Sequence, residues 1–393
     1  MKKYIVPVLI VLMWIGLLWS RALISISIIL FIVYGLLIKG KEGLELVKSS
    51  WWLKGLVLLF IVPLISGLWS ADQKEWWNVM QVKLPLLFFP FCLPLFLQLE
   101  VKILKSLLWI LVSLLGISMI ISLEHFYIMG ADDYLKAKVM KVAVYDDHVR
   151  YSWLLVIGYS WLLYDLLKGI IQKRWIAVLA LVLFGIYIHL LAAKTGLIGF
   201  YVVNLLAILY HKNFRLPGLA VLILLPVLAW FLVPSFQNRL KFVWWDFQNY
   251  SRGNYVEGLS DAPRVLSWKA AVKTIADHPL QGVGAGDIIL TVKDWYSNHA
   301  PFLKEYEQLV PANQVLLYAC YTGLIGGIIC LLVFLQPLFM NKGSKDWLWM
   351  SFHIVAFAGF MYEIALEMQF GVFIYVFFGL LFYSRLKSDL AGN

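Results

Sequence analysis

The sequence predicts an all-α integral membrane protein of about twelve transmembrane helices, with a long, partly helical outer loop between the ninth and the tenth. Three observations predict it. Of 393 residues, 62% are hydrophobic and only 14% are charged, against roughly 25% charged in a soluble domain. The mean hydropathy is +0.81. Apolar runs of about 17–25 residues, enough to cross a bilayer, recur through the chain. Together these exclude a water-soluble enzyme, a disordered chain and a coiled coil. The net charge of +10 would suggest nucleic acid in a soluble protein. Here it reads as orientation, because cytoplasmic loops collect Lys and Arg, and no nucleic-acid partner is expected.

The first span, 4–20, follows Met-Lys-Lys and runs almost directly into the second, 22–38. No small-x-small cleavage site follows it, so it reads as a retained helix and not a removed signal peptide. Spans three to six fall at 52–69, 83–98, 103–122 and 150–167. Pro85, Pro90 and Pro94 interrupt the fourth, which a membrane helix tolerates when neighbours satisfy the freed backbone groups. Spans at 174–192, 195–211 and 216–234 complete a first block, residues 1–234. The outer loop is 235–312, and spans at 313–339, 347–364 and 368–385 with a short tail fill 313–393.

With the N-terminus inside, Lys2, Lys3, Lys39, Lys41, Lys48, Lys102, Lys105, Lys168, Lys173, Arg174, Lys212, Arg215, Lys342, Lys345, Arg385 and Lys387 all lie on the cytoplasmic side, as do both termini. The short outer connections at 20–21, 192–195 and 364–368 hold only Arg21 and Lys194. Trp51, Trp52, Trp76, Trp77 and Trp347 crowd span ends, as an aromatic belt predicts. Cys92, Cys320 and Cys330 sit inside apolar runs and read as small packing residues.

Two outer segments, 123–149 and 235–312, are too long for turns, and long loops are usually functional. In the second, Asp261-Ala-Pro-Arg264 reads as a helix start, a capping Asp followed by Pro in the first turn. Val265, Leu266, Trp268, Val272 and Ile275 then share one face, while Lys269, Lys273 and Asp277 step by four on another. His278-Pro279 ends this helix, Gly282-Val-Gly284-Ala-Gly286 turns the chain, and a second short helix is expected around 288–296.

Arg150 begins span six, Lys194 stands between spans seven and eight, and Arg264 lies in the first turn of the loop helix. A lone outer Arg is more often a snorkelling anchor than a ligand. The orientation rule does not account for all three, however, and a guanidinium beside a helix N-terminus makes an anion site suited to phosphate. Arg150 and Arg264 together suit a diphosphate held by bidentate bonds. Glu363 and Glu367, spaced i, i+4 with Gln369 close by, share a face if the helix continues. They either pair with outer cations or position sugar hydroxyls. His148, beside Asp146 and Asp147, is a candidate proton carrier or an ordinary hydrogen-bonded loop residue, and His299 is open to the same two readings. No metal-ligand spacing, H-E-x-x-H, C-x-x-C or P-loop is present, and the Gly282–Gly286 run follows a helix instead of a strand, unlike a dinucleotide fingerprint. Span centres are nearly free of charge, which argues against an ion-coupled transporter.

From about 140 to 370 the sequence resembles the O-antigen ligase family of polytopic glycosyltransferases, a superfamily that includes O-antigen polymerases and bacterial O-oligosaccharyltransferases. The resemblance rests on ordered motifs: His148-Val-Arg150-Tyr-Ser, Lys194-Thr-Gly196, Arg264-Val-Leu-Ser-Trp268 with Pro279–Gly286, and Pro311-Ala-Asn313-Gln314-Val-Leu316 with Thr322–Gly326. Glu363 and Glu367-Met-Gln369-Phe-Gly371 close the series. The resemblance implies transfer of a glycan from undecaprenyl diphosphate to a sugar hydroxyl of lipid A–core, at the periplasmic face of the bacterial inner membrane, without metal or other cofactor. It assigns the diphosphate to Arg150 and Arg264, and Lys194, Trp268, Asn313, Gln314, Glu363, Glu367 and His148 are the candidates for substrate contacts. It also implies a general-base His at position 312, where this chain has Ala312. Either the His has been replaced in a working site, or another base such as His299 or Glu363 serves, or the protein binds without catalysis. The intact frame of Pro311, Asn313, Leu316 and Gly323 favours the first. Polymerase and protein-transferase readings share the chemistry, and a lipid or solute transporter is the alternative of another class.

Overall fold

The computed structural model describes residues 2–129, 140–258, 261–341 and 343–391. Residues 130–139 of the predicted outer segment and Lys342 of the cytoplasmic set lie outside the described residues. Helices and turns account for the described fold, with no strand among the described residues. In order, the helices are α1 (Lys2–Trp19), α2 (Arg21–Ser49), α3 (Trp51–Ser66), α4 (Gln73–Phe88), α5 (Leu93–Leu97), α6 (Val101–Met129), α7 (His148–Leu167), α8 (Arg174–Leu191), α9 (Lys194–Tyr210) and α10 (Arg215–Leu232). There follow α11 (Pro234–Ser251), α12 (Ala262–Asp277), α13 (Ile288–His299), α14 (Gln314–Leu335), α15 (Trp347–Phe360) and α16 (Gln369–Ala391).

Each of the twelve predicted spans falls on a helix. Seven helical stretches are long and apolar enough to cross a membrane, and four more are apolar but shorter, such as Trp51–Ser66 and Trp347–Phe360. The prolines of the fourth span do not end it. Phe89–Cys92 tightens to a 3-10 turn and joins α4 to α5, which keeps the freed backbone groups within the segment.

The centre of the bundle is α16 together with α7. Every residue of α7 from Arg150 to Asp165 is buried, and Phe377 of α16 packs against Trp14, Phe89 and Phe96. Asp165 is neutralised by Arg385 at 2.5 Å. At the other extreme, α10 exposes Leu216, Leu219, Ile223, Leu224, Leu228 and Phe231. Such a helix is stable only where its surroundings are themselves apolar.

Residues 235–312 contain the two expected helices, α12 and α13, and one that was not expected, α11. Pro234 occupies its first turn, a position that suits its missing N–H. Leu240, Trp244 and Phe247 of α11 stay exposed, as on a helix lying along a membrane interface.

The two glycine-rich motifs form a single joint. Helix α14 breaks at Thr322 and Gly323, where Gly323 adopts φ 73°. Into the break fits the Pro279–Gly286 loop. Val283 donates to Cys320 O at 2.8 Å, Gly284 to Tyr321 O at 3.1 Å, and Leu324 donates to Pro279 O at 2.9 Å. The helix therefore loses its internal bonds without leaving the groups unpaired. Gly282 has φ 69°, and a Cβ there would lie 2.4 Å from Cys320 O, so only glycine fits. The same loop is fixed to the end of α3: Ala285 and Gly286 donate to the Ser66 and Ser70 hydroxyls, and the Asp287 carboxylate accepts from Ala71 and Asp72.

Candidate functional site

A cleft of about 300 Å³ opens where five segments converge. The start of α7 contributes His148 and Val149. It is delivered by three consecutive left-handed residues, Val144, Tyr145 and Asp146, with φ of 61°, 57° and 60°, and is capped by the Asp147 side chain, which accepts from Arg150 N at 3.0 Å. The α8–α9 junction contributes Leu191 to Thr195, with Ala192 left-handed at the end of α8. Helix α11 presents Ser235, Asn238, Arg239 and Phe242, a spacing that puts all four on one helical face. Arg264 comes from the first turn of α12, and Tyr362 and Glu363 from the turn after α15.

Two of the cleft's cations, Lys194 and Arg264, are paired with carboxylates. Lys194 donates to both oxygens of Asp261, at 2.6 and 2.5 Å, and to the Tyr362 hydroxyl at 3.1 Å. Tyr362 in turn donates to Asp261. Arg264 donates to Glu363 and lies 4.5 Å over the Tyr362 ring. Burial pushes the Asp261 carboxyl up, but the hydrogen bonds from Lys194 and Tyr362 outweigh it and hold the group below the usual carboxylate range. Burial also pulls Arg264 down, and Glu363 more than reverses this. Arg239 is left lowered by burial, with Asp261 countering only in part. Its Nε is buried without a partner.

A carboxyl with a lowered folded pKa contributes stability that is present above its unfolded value, about 3.9, and is lost as pH falls through the folded one. The melting temperature of Asp261→Asn should therefore trail the parent by a constant margin from pH 8 to 5, and the margin should shrink below about pH 4. A margin that already narrows between pH 7 and 5 would contradict the lowered pKa.

Of the predicted site residues, His148, Lys194, Arg264 and Glu363 line the cleft. Arg150 does not. It is buried, pairs with Asp147 at 3.4 Å, and lines a small cavity that also borders Thr195 and Glu363, directly behind the cleft. Ala312 is buried and lines neither the cleft nor that cavity. Its N–H donates to Ser267 Oγ and its carbonyl accepts from the Trp268 indole, both at 3.0 Å. Asn313 caps α14 and donates to Met361 O at 3.0 Å. The Pro-Ala-Asn motif thus bridges α12 and the turn that carries Tyr362.

Three expectations are corrected. Asp261 makes no side-chain cap of α12, because its carboxylate is taken by Lys194 and Tyr362. Glu363 and Glu367 do not share a helical face: α15 stops at Phe360, and the two carboxylates go to different partners. Glu367 pairs at 2.5 Å with Lys83, which is wholly buried, and accepts from Gln314 at 2.8 Å. Glu367 and Gln314 thus belong to a separate buried polar knot. His299 lies outside the cleft, exposed and stacked on Trp295, whereas His148 lines the cleft with its Nε2 buried and without a partner.

Sequence reasoning missed Arg239, Tyr362 and the acidic role of Asp261. The signal for Arg239 was present: Pro234 as a helix start, then polar residues at i, i+3 and i+4. No curated protein matches the chain. Residues 179–331, from α8 into α14, match the family model described as O-antigen ligase, and this stretch contains Lys194, Arg239, Arg264 and Ala312.

Proposed function

We propose that the cleft is the donor site of a glycosyltransferase of the O-antigen ligase type, which moves a glycan from undecaprenyl diphosphate to a lipid A–core sugar hydroxyl. In this reading all twelve spans cross the inner membrane, both termini are cytoplasmic, and the cleft faces the periplasm. The observation that carries it is the gathering of Lys194, Arg239 and Arg264 around one cleft at the end of an apolar bundle. A second feature supports it. An apolar groove of about 890 Å³ runs between α7, α8, α9 and α10, lined by residues such as Leu163, Leu181, Phe200 and Leu225. Its His189 and Val233 end lies next in sequence to Leu191 and Ser235 of the cleft. A polyprenyl tail in the groove would bring its diphosphate to the cations.

Arg264 and Lys194 take the diphosphate, exchanging their carboxylates for phosphate oxygens, and Arg150 reinforces the positive field from behind. As the glycosidic bond breaks, negative charge grows on the departing diphosphate, and fixed cations stabilise it more than they stabilise the ground state. The base expected at position 312 takes the acceptor hydroxyl's proton, and attack opposite the leaving group inverts the anomeric carbon. The outer loop covers the site and keeps water from competing. No metal is required, because the cations do the work a metal would do. Arg264→Ala should weaken binding of a polyprenyl diphosphate roughly 10–100-fold, the value of a charge-assisted hydrogen bond. Unchanged binding, measured by titration of the purified full chain, would sink the assignment. Offering lipid A–core, a lipid-linked repeat unit and a protein acceptor in parallel separates ligase from polymerase and from protein transferase.

A further inference from the structure

We infer that Arg239 is the docking cation of the cleft, the side chain that first receives the anionic headgroup before Lys194 and Arg264 are released from their own carboxylates. The inference rests on the diphosphate reading above and adds a residue and an order of events to it.

Three cations line the cleft, and two of them are already engaged. Lys194 is clasped by both oxygens of Asp261, and Arg264 by Glu363. An anion reaching either one has to displace a carboxylate. Among the described residues Arg239 has no hydrogen bond and no carboxylate within ion-pair distance, and Asp261 and Asp246 act on it only through space. With Lys194 and Arg264 each paired to a carboxylate, Arg239 is the cleft cation that an anion can reach without breaking an existing pair.

The helix explains why this arrangement persists. Ser235, Asn238, Arg239 and Phe242 form one face of α11, and that face is a wall of the cleft. Ser235 is tied to Leu190 O at 2.6 Å, which fixes the register of the helix against α8. Leaving a guanidinium partly buried and unpaired costs stability, and a cost of this kind is repaid when a ligand supplies the missing acceptors. The planar fork of a guanidinium matches adjacent phosphate oxygens.

The test uses the full chain in detergent with farnesyl diphosphate as the probe and farnesol as the uncharged control, read as affinity and association rate over a range of salt. Arg239→Gln is expected to weaken binding and slow association about tenfold at low salt, and to flatten the salt dependence. Arg239→Lys should restore most of the loss, and farnesol binding should not change. If Arg239→Gln binds the diphosphate like the parent while Arg264→Ala loses it, the docking role fails and the diphosphate site stands. If parent and Arg264→Ala bind alike, the diphosphate reading fails and takes this inference with it. Equal losses in Arg239→Gln and Arg239→Lys, each with a lowered melting temperature in the absence of ligand, would assign Arg239 to packing and overturn the proposal.

Discussion

Replacing Ala312 by histidine is expected to raise glycosyl transfer from a polyprenyl-diphosphate glycan by roughly 10²–10⁴-fold, the usual contribution of a positioned general base. The site around position 312 is ready for it. Ser267 and Trp268 hold the backbone on both sides, and Asn313 anchors the next residue to the turn bearing Tyr362 and Glu363. The position is 5% exposed, so the added ring must find room, and small-to-large changes in packed sites typically cost about 1–3 kcal/mol. A melting curve beside the transfer assay separates that cost from catalysis. A stable Ala312→His protein that binds donor yet transfers no faster than the parent would remove position 312 from the mechanism. Attention would then pass to His148, the imidazole that lines the cleft.

Lys83→Ala is expected to destabilise the protein by about 3–5 kcal/mol, the range seen when one partner of a buried ion pair is removed. Lys83 is wholly buried and Glu367 is 13% exposed, so solvent cannot take over the role of the missing partner. The ammonium also donates to Leu366 O at 2.8 Å, while Gln314 accepts from Leu366 N at 2.9 Å. The knot therefore fastens α4 and the start of α14 to the 3-10 turn before α16. Replacing both Lys83 and Glu367 by Met should cost clearly less than the two single changes added together, because no uncompensated charge is left behind. A loss below about 1 kcal/mol for Lys83→Ala, the range of exposed pairs, would show that the pair is not sealed from solvent. Denaturant titration in detergent measures either outcome.

The helices were legible because hydropathy reports directly on what a bilayer requires. Pro85, Pro90 and Pro94 still left their segment recognisable, since a membrane helix can tighten locally and continue. Which helix sits in the middle was not legible. Both α10 and α16 read as apolar all round, yet few residues of the first are buried and most of the second are. Lipid and protein interior are equally apolar, so the contrast that marks a surface in water is missing. At the site, Lys194 stood out because cations are scarce in the short connections expected on the outer side, and Arg264 because it falls in the first turn of a helix. Asp261 was recognised as a helix start, but its chemistry is decided by Lys194, 67 residues away, and no local pattern encodes that. Glu363 and Glu367 were misread for the related reason that nothing in Met361–Gln369 marks the end of α15. Lys83 drew no notice inside an apolar span, although a charge there needs a partner.

The joint between the Pro279–Gly286 loop and the broken α14 has a mechanical consequence. Backbone bonds stitch the two together, and bonds from Ser66 and Ser70 stitch the loop to α3. Helix α12, directly upstream, is held at its other end by Ser267 and Trp268 against Ala312. Arg264 and position 312 therefore ride on one stiff strut with no free pivot between them. For the proposed reaction, such a strut keeps the spacing between the diphosphate clamp and the base at position 312 constant from one turnover to the next.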